Sequence, residues 1–289
     1  MLDWVLFGAL LFLQIPEAEK PLPELGPFVA EARKHLRSDR LLLSHYSFIQ
    51  TETERRLNRD GSVKKVEITV SEIYPSFEEG LTYERVISKN GKPLPAAEIE
   101  KRDREHDKKV DAYRRKLEKE GQNERAKRLA KEAEERRKED EAIDEAFRLY
   151  QFEMVGRERR GGLDTILVTF KTRPDYKPKS REAKFLSRLA GRAWVAEDSH
   201  YLVRIEIQLI DNVSFGLGVL ARLNKGAKGL FERRFVNDEL WLPAVASFSG
   251  TGRILLLKGI RVDVSYAYSD YRKYSVETRV GRGEIRCSP

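Results

Sequence analysis

The side chains best suited to chemistry in this chain are four histidines, His35, His45, His106 and His200, and one cysteine, Cys287. A zinc centre usually draws several ligands from one short stretch, at the spacing of a helical turn or a hairpin. None of these histidines stands at such a spacing from another. The lone thiol has no second cysteine with which to close a disulfide or a metal site. Gly216-Leu217-Gly218-Val219-Leu220-Ala221 matches the loosest dinucleotide fingerprint. Strand-like alternation runs through those glycines, however, where a helix would have to begin to meet a pyrophosphate. There is no nucleophile elbow, phosphate-cradling loop or nuclease pattern. The expectation is a protein that is not an enzyme and has no cofactor and no metal. Tyr266, Tyr268, Tyr271 and Tyr274, interleaved with Arg272 and Lys273, carry the groups for stacking bases beside phosphates. We read them as strand aromatics beneath a basic edge, with no nucleic acid partner.

Positioning elements follow from composition and period. Of 289 residues, 40% are apolar and 35% charged, so a core can form under a heavily charged surface. The net charge of +8 favours anionic partners, a membrane surface among them. Trp4 to Ile15 is almost wholly apolar and ends at Pro16. That run is too short to span a bilayer comfortably and suits the apolar region of a secretory signal, so residues 1–20 are read as a leader. The positions around Leu25 to Leu36 repeat at helical period, as do those from Ser180 to Ala190. Between and beyond them the period is two. Tyr46 and Phe48 alternate with polar neighbours, as do Val66, Ile68 and Val70, with Tyr83 continuing the pattern. Phe152 follows, then Ile166, Val168 and Phe170, then Trp194, Ile205 and Ile207, then Phe215 and Leu217, and last Val264 and Tyr266.

Residues 96–146 break this pattern. Glu, Lys, Arg and Ala dominate, opposite charges stand three or four apart, and the apolar seam is thin. Gly121-Gln122-Asn123 is the one weak point, so the segment is either a hairpin of two helices or one long helix bent at Gly121. It is an insertion projecting from a β-domain made of residues 21–95 and 147–289. Ten or eleven strands with regular turn signals and no βαβ unit predict a mainly β (α+β) fold. Its centre is one large curved antiparallel sheet or incomplete barrel. Two short helices cannot cover a sheet of that width, so an apolar cavity is expected, lined by the seventeen alternating residues just named, Tyr46 to Tyr266.

The second half of the chain resembles the periplasmic lipoprotein-carrier superfamily, the LolA/LolB-like fold and its outer-membrane lipoprotein-sorting relatives. The resemblance rests on Gly191-Arg192-Ala193-Trp194-Val195-Ala196-Glu197-Asp198, on Tyr201-Leu202-Val203-Arg204-Ile205-Glu206, on Leu242-Pro243 and on Ser269-Asp270-Tyr271-Arg272-Lys273-Tyr274. It implies an incomplete barrel lidded by helices, with a cavity for acyl chains; the insertion at 96–146 is no part of a minimal carrier. The expected function is therefore a periplasmic or outer-membrane-associated carrier for a lipid or lipidated protein. The alternative is an envelope module with a filled core, binding a protein partner through its charged helices.

Overall fold

The computed structural model describes residues 20–36, 43–58, 60–76, 78, 80–215, 221–254 and 258–273. Residues 1–19 of the leader, the Gly216–Gly218 stretch with Leu217, Tyr274 and Cys287 lie outside these residues. In chain order the elements begin with α1 (Leu25–Lys34), β1 (Tyr46–Leu57), β2 (Val63–Tyr74), β3 (Tyr83–Lys89) and β4 (Lys92–Pro93). Two long helices follow, α2 (Ala96–Glu118) and α3 (Gln122–Leu149). Then come β5 (Tyr150–Arg160), β6 (Leu163–Thr172), α4 (Arg181–Leu186), β7 (Leu189–Ala196), β8 (Leu202–Leu209), β9 (Val213–Phe215) and β10 (Ala221–Leu223). The last three strands are β11 (Lys228–Val236), β12 (Leu240–Ile254) and β13 (Lys258–Lys273).

Tight turns set the meander. Asn90 and Gly91 join β3 to β4 at φ of 50° and 75°, and Gly161 and Gly162 join β5 to β6 at 56° and 82°. A two-residue hairpin of this hand needs left-handed backbone at both positions, which Asn and Gly adopt at least cost. The strands form one antiparallel sheet in the order β4-β3-β2-β1-β13-β12-β11-β8-β7-β6-β5, with β9 and β10 beside β12. The sheet is open: β4 and β5 end it and do not pair with each other. Among the described residues thirteen strands stand where periodicity predicted ten or eleven. The pairs and triplets of β4, β9 and β10 are too short to show a period of two.

Two boundaries differ from the sequence reading for local reasons. The helix expected over 180–190 stops at Leu186, and Leu189, taken as a helical residue, opens β7 opposite Leu209. Ser180 caps its start by accepting from the Ala183 N–H at 2.9 Å. The charged segment is two helices, broken at Lys119–Gly121 and braced by Arg128, which reaches back to Glu120 at 3.0 Å.

The two long helices leave and rejoin the sheet at different strands. They carry the chain from β4, at one end of the open sheet, to β5 at the other. At the first end Asp103 of α2 accepts from the Tyr83 hydroxyl at 2.6 Å and from Arg85 at 3.0 Å, and His106 stacks on Tyr83. At the other, Asp144 pairs with Arg33 of α1, Glu145 accepts from Tyr176, and Leu149 is fully buried. The insertion is a strap along the chain between the two end regions of the sheet, held by α2 at β3 and by α3 at α1, α4 and β5.

Candidate functional site

Cross-strand register places each side chain on one face or the other, since directly paired residues share a face. From β13 to β7 the pairs Val264↔Phe248, Phe248↔Gly229, Gly229↔Ile207 and Ile207↔Gly191 run unbroken, and the next row is Tyr266↔Ala246↔Phe231↔Ile205↔Ala193. Ile166, Val168 and Phe170 on β6 and Phe152 on β5 continue this first face. Gly191 sits in it for a reason of space: a Cβ there would collide with the Glu206 carbonyl and lie 2.7 Å from the Phe170 ring.

Half of the first face is sealed. Phe28 and Ala32 of α1 pack on Ile166, Val168 and Val195. Ala183 and Leu186 of α4, with Leu149, close over Tyr150 and Phe170 and reach Ile205 and Ile207. The spacing of Phe28, Val29 and Ala32 brings them to one side of α1, which is why so short a helix holds. Toward β13 the same face carries Phe231, Ala246, Val264, Tyr266 and Tyr268, all half-buried and in none of the described apolar clusters. Tyr266 and Tyr268 stack with ring centres 6.4 Å apart. Burial pushes both hydroxyls above the usual phenol range, helped at Tyr266 by the charge of Glu52, which accepts its hydrogen bond at 3.3 Å. The residues beyond on β1 are Gln50, Glu52 and Glu54, so the apolar stretch ends in a polar rim.

The seventeen residues expected around one cavity are not brought together. Val264, Tyr266, Ile205 and Ile207 share the first face. Ile166, Val168 and Phe170 are on it too, but buried beneath α1 and α4, with Phe152 half-buried against Phe147. Phe48 lies under Tyr268 and Tyr271. Tyr46 is fully buried against Leu240 and Leu242, its hydroxyl on Glu239 at 3.0 Å. Val66, Ile68 and Val70 pair with Arg55, Thr53 and Thr51, on the face opposite Gln50 and Glu52, and Val66 and Ile68 are exposed. Tyr83 pairs with Tyr74 on that opposite face and is taken by α2. Trp194 pairs with Arg204 and Leu167, again on the opposite face. The Phe215 side chain and Leu217 lie outside the described residues. Phe231, Ala246 and Tyr268 were missed, although Phe231 and Tyr268 stood in alternating runs; their place was legible only from β11–β13 pairing.

The opposite face is polar at its centre. Trp194, 1% exposed, donates its indole N–H to Glu158 at 2.7 Å beneath the guanidinium groups of Arg160, Arg192 and Arg204, 4.2, 5.1 and 5.6 Å from its ring. Glu206 holds Arg192 at 2.7 Å and Arg204 at 2.6 Å. Beside this network runs an open groove of about 520 Å³, lined by Thr169, Arg192, Glu206, Gln208, Lys228 and Ser247 among others. Among the described residues no three of His, Cys, Asp and Glu cluster to hold a metal, and no helix is long and apolar enough to cross a membrane.

An open antiparallel sheet with helices sealing part of one face defines the fold class, and it agrees with the resemblance read from the sequence. The chain is similar to a crystal structure of a domain from Vibrio parahaemolyticus ascribed to outer membrane lipoprotein sorting, with 9% identity, 88% of this chain and 93% of that one covered, and a TM-score of 0.31. It is similar to a LolA superfamily protein from Nitrosomonas europaea, with 11% identity, 88% and 95% covered, and a TM-score of 0.27. The complex of MucA and MucB from Pseudomonas aeruginosa also matches, with 11% identity, 85% and 100% covered, and a TM-score of 0.21. No protein-family model and no curated protein matches the sequence.

Proposed function

We propose that this protein is an exported, non-catalytic binding protein of the cell envelope. Its guest is the apolar chain of a lipid or lipidated protein, lying along β11, β12 and β13. One observation carries the reading: α1 and α4 seal the first face over β5 to β8, while Phe231, Ala246, Val264, Tyr266 and Tyr268 continue it outside every described cluster. Each methylene buried there contributes about 0.8 kcal/mol, so one long chain suffices for stable binding. The polar rim at Gln50 and Glu52 marks the end for a headgroup, and the net charge of +8 draws the protein to anionic membrane surfaces.

Native mass spectrometry of the purified protein and uptake of a fluorescent fatty acid test this. Wild type is expected to copurify with, or take up, an acyl chain, and Val264→Arg to abolish uptake with its circular dichroism intact. Absence of both lipid and uptake in wild type ends the proposal. A second reading is favoured by the exposure of the strap, since α2 buries no residue and α3 only Leu149. In that reading the charged helices bind an envelope protein, and charge-reversing Arg104, Lys108 and Arg115 removes the partner while lipid uptake persists.

A further inference from the structure

The outer edge of β2 is half unpaired. Its Thr69–Tyr74 portion is laddered to β3, but Val63–Glu67 pairs with β1 alone. Asn90 closes the β3 side at Ile68: its side-chain carbonyl accepts from the Ile68 N–H at 2.8 Å, and its own N–H donates to the Ile68 carbonyl at 2.7 Å. Beyond that clamp the outward amides and carbonyls of Val63–Glu67 have no protein partner among the described residues. The apolar side chains there are open as well, Val63 at 53%, Val66 at 44% and Ile68 at 39% exposed. Free edge backbone beside exposed β-branched residues is a template for another strand.

Charge selects what the template accepts. Glu67 is engaged by Lys65 at 2.9 Å and Arg56 at 3.0 Å. Lys64, at the start of the edge, and Lys89 and Lys92, at the hairpin beside Asn90, have no ion pair among the described residues. Three lysines without an ion pair beside free edge backbone favour an acidic strand.

We propose that Val63–Glu67 is a docking edge for an extended acidic segment of another protein, which joins the sheet as a strand next to β2. Its alternate apolar residues lie over Val66 and Ile68, and its carboxylates, on the other face, meet Lys89 and Lys92. This site is separate from the apolar stretch on β11–β13 and from the strap, so it stands or falls independently of the lipid reading.

The probe is a fluorescent acetyl-Glu-Val-Asp-Val-Glu-Val-amide peptide, titrated into the full chain by anisotropy and by amide chemical shifts. Saturable binding is expected, with shifts centred on residues 63–68. Methylating alternate peptide nitrogens that face β2 removes backbone hydrogen bonds and is expected to weaken binding about tenfold. The double variant Lys89→Glu, Lys92→Glu, on exposed positions that leave the fold intact, is expected to weaken it by a similar factor at low salt. No saturable binding, equal affinity of the methylated peptide, shifts centred on the strap or the Arg192 groove, or dimerisation through β2 would each overturn the proposal.

Discussion

Glu197 sits where the N-terminal segment meets the sheet. It accepts from Arg157 at 2.6 Å and pairs with Lys20 at 3.0 Å, while Arg157 also donates to the Lys20 carbonyl at 2.8 Å. The Arg157 guanidinium, with Lys20, holds the Glu197 carboxyl down to about 2. A carboxylate whose pKa is lowered on folding adds stability above its unfolded pKa, and this contribution is lost as pH falls toward its folded one. Glu197→Gln is expected to lower stability by about 1 kcal/mol at pH 7, after solvent screening of so near-surface a pair. In urea titrations the difference from wild type should shrink below pH 4.5 and vanish near pH 2. An equal difference at every pH would show that packing, not charge, is what Glu197 supplies.

At the scale of elements, α1 is three turns long and amphipathic, and isolated helices of that length do not hold in water. Its stability is tertiary. Phe28, 3% exposed, lies against Ile166, Val168 and Val195 and within 5.0 Å of the His200 ring. Phe28→Ala is expected to cost about 3 kcal/mol in chemical denaturation. Because the helix seals the first face, the same variant is expected to increase binding of a hydrophobic dye; a loss of stability without that increase would place the seal elsewhere. The element itself was legible, since Phe28, Val29 and Ala32 recur at helical period. Its target was not, because period tells which side of a helix is apolar and nothing about which strands arrive beneath it.

On the scale of the whole molecule, the strap joins the two ends of an open sheet, and its two anchors differ in kind. The β3 anchor is polar, built from Asp103, Tyr83 and Arg85, with Arg85 also held by Glu72 at 3.0 Å. Whereas the β5 anchor adds Leu149, buried under α4, to its polar contacts at Asp144 and Glu145, the β3 anchor has no buried residue of α2. Polar contacts at a half-exposed site yield about 0.5–1.5 kcal/mol each, so this end opens first. Asp103→Ala is expected to speed amide exchange in α2 by roughly tenfold while β6 stays protected. Faster exchange in β6 as well would mean that the strap and the sheet open as one unit.

Much of this architecture was already present in the amino-acid order. Asn90-Gly91 and Gly161-Gly162 dictate left-handed two-residue turns, alternation marks the long strands, and a run of Glu, Lys, Arg and Ala can only be helix. These are local properties, fixed by backbone sterics and by which residues of one element share a side. Tertiary structure decided how those sides were combined. Alternation groups Val66 with Ile68 and Tyr266 with Val264, but whether two such groups share a sheet face depends on register, and bulges beside Arg56 and Met154 alter it. Pairing β1 with β13 across the length of the chain put Tyr266 on one face and Ile68 on the other. A one-residue shift turns every side chain over, and nothing within a single strand records it.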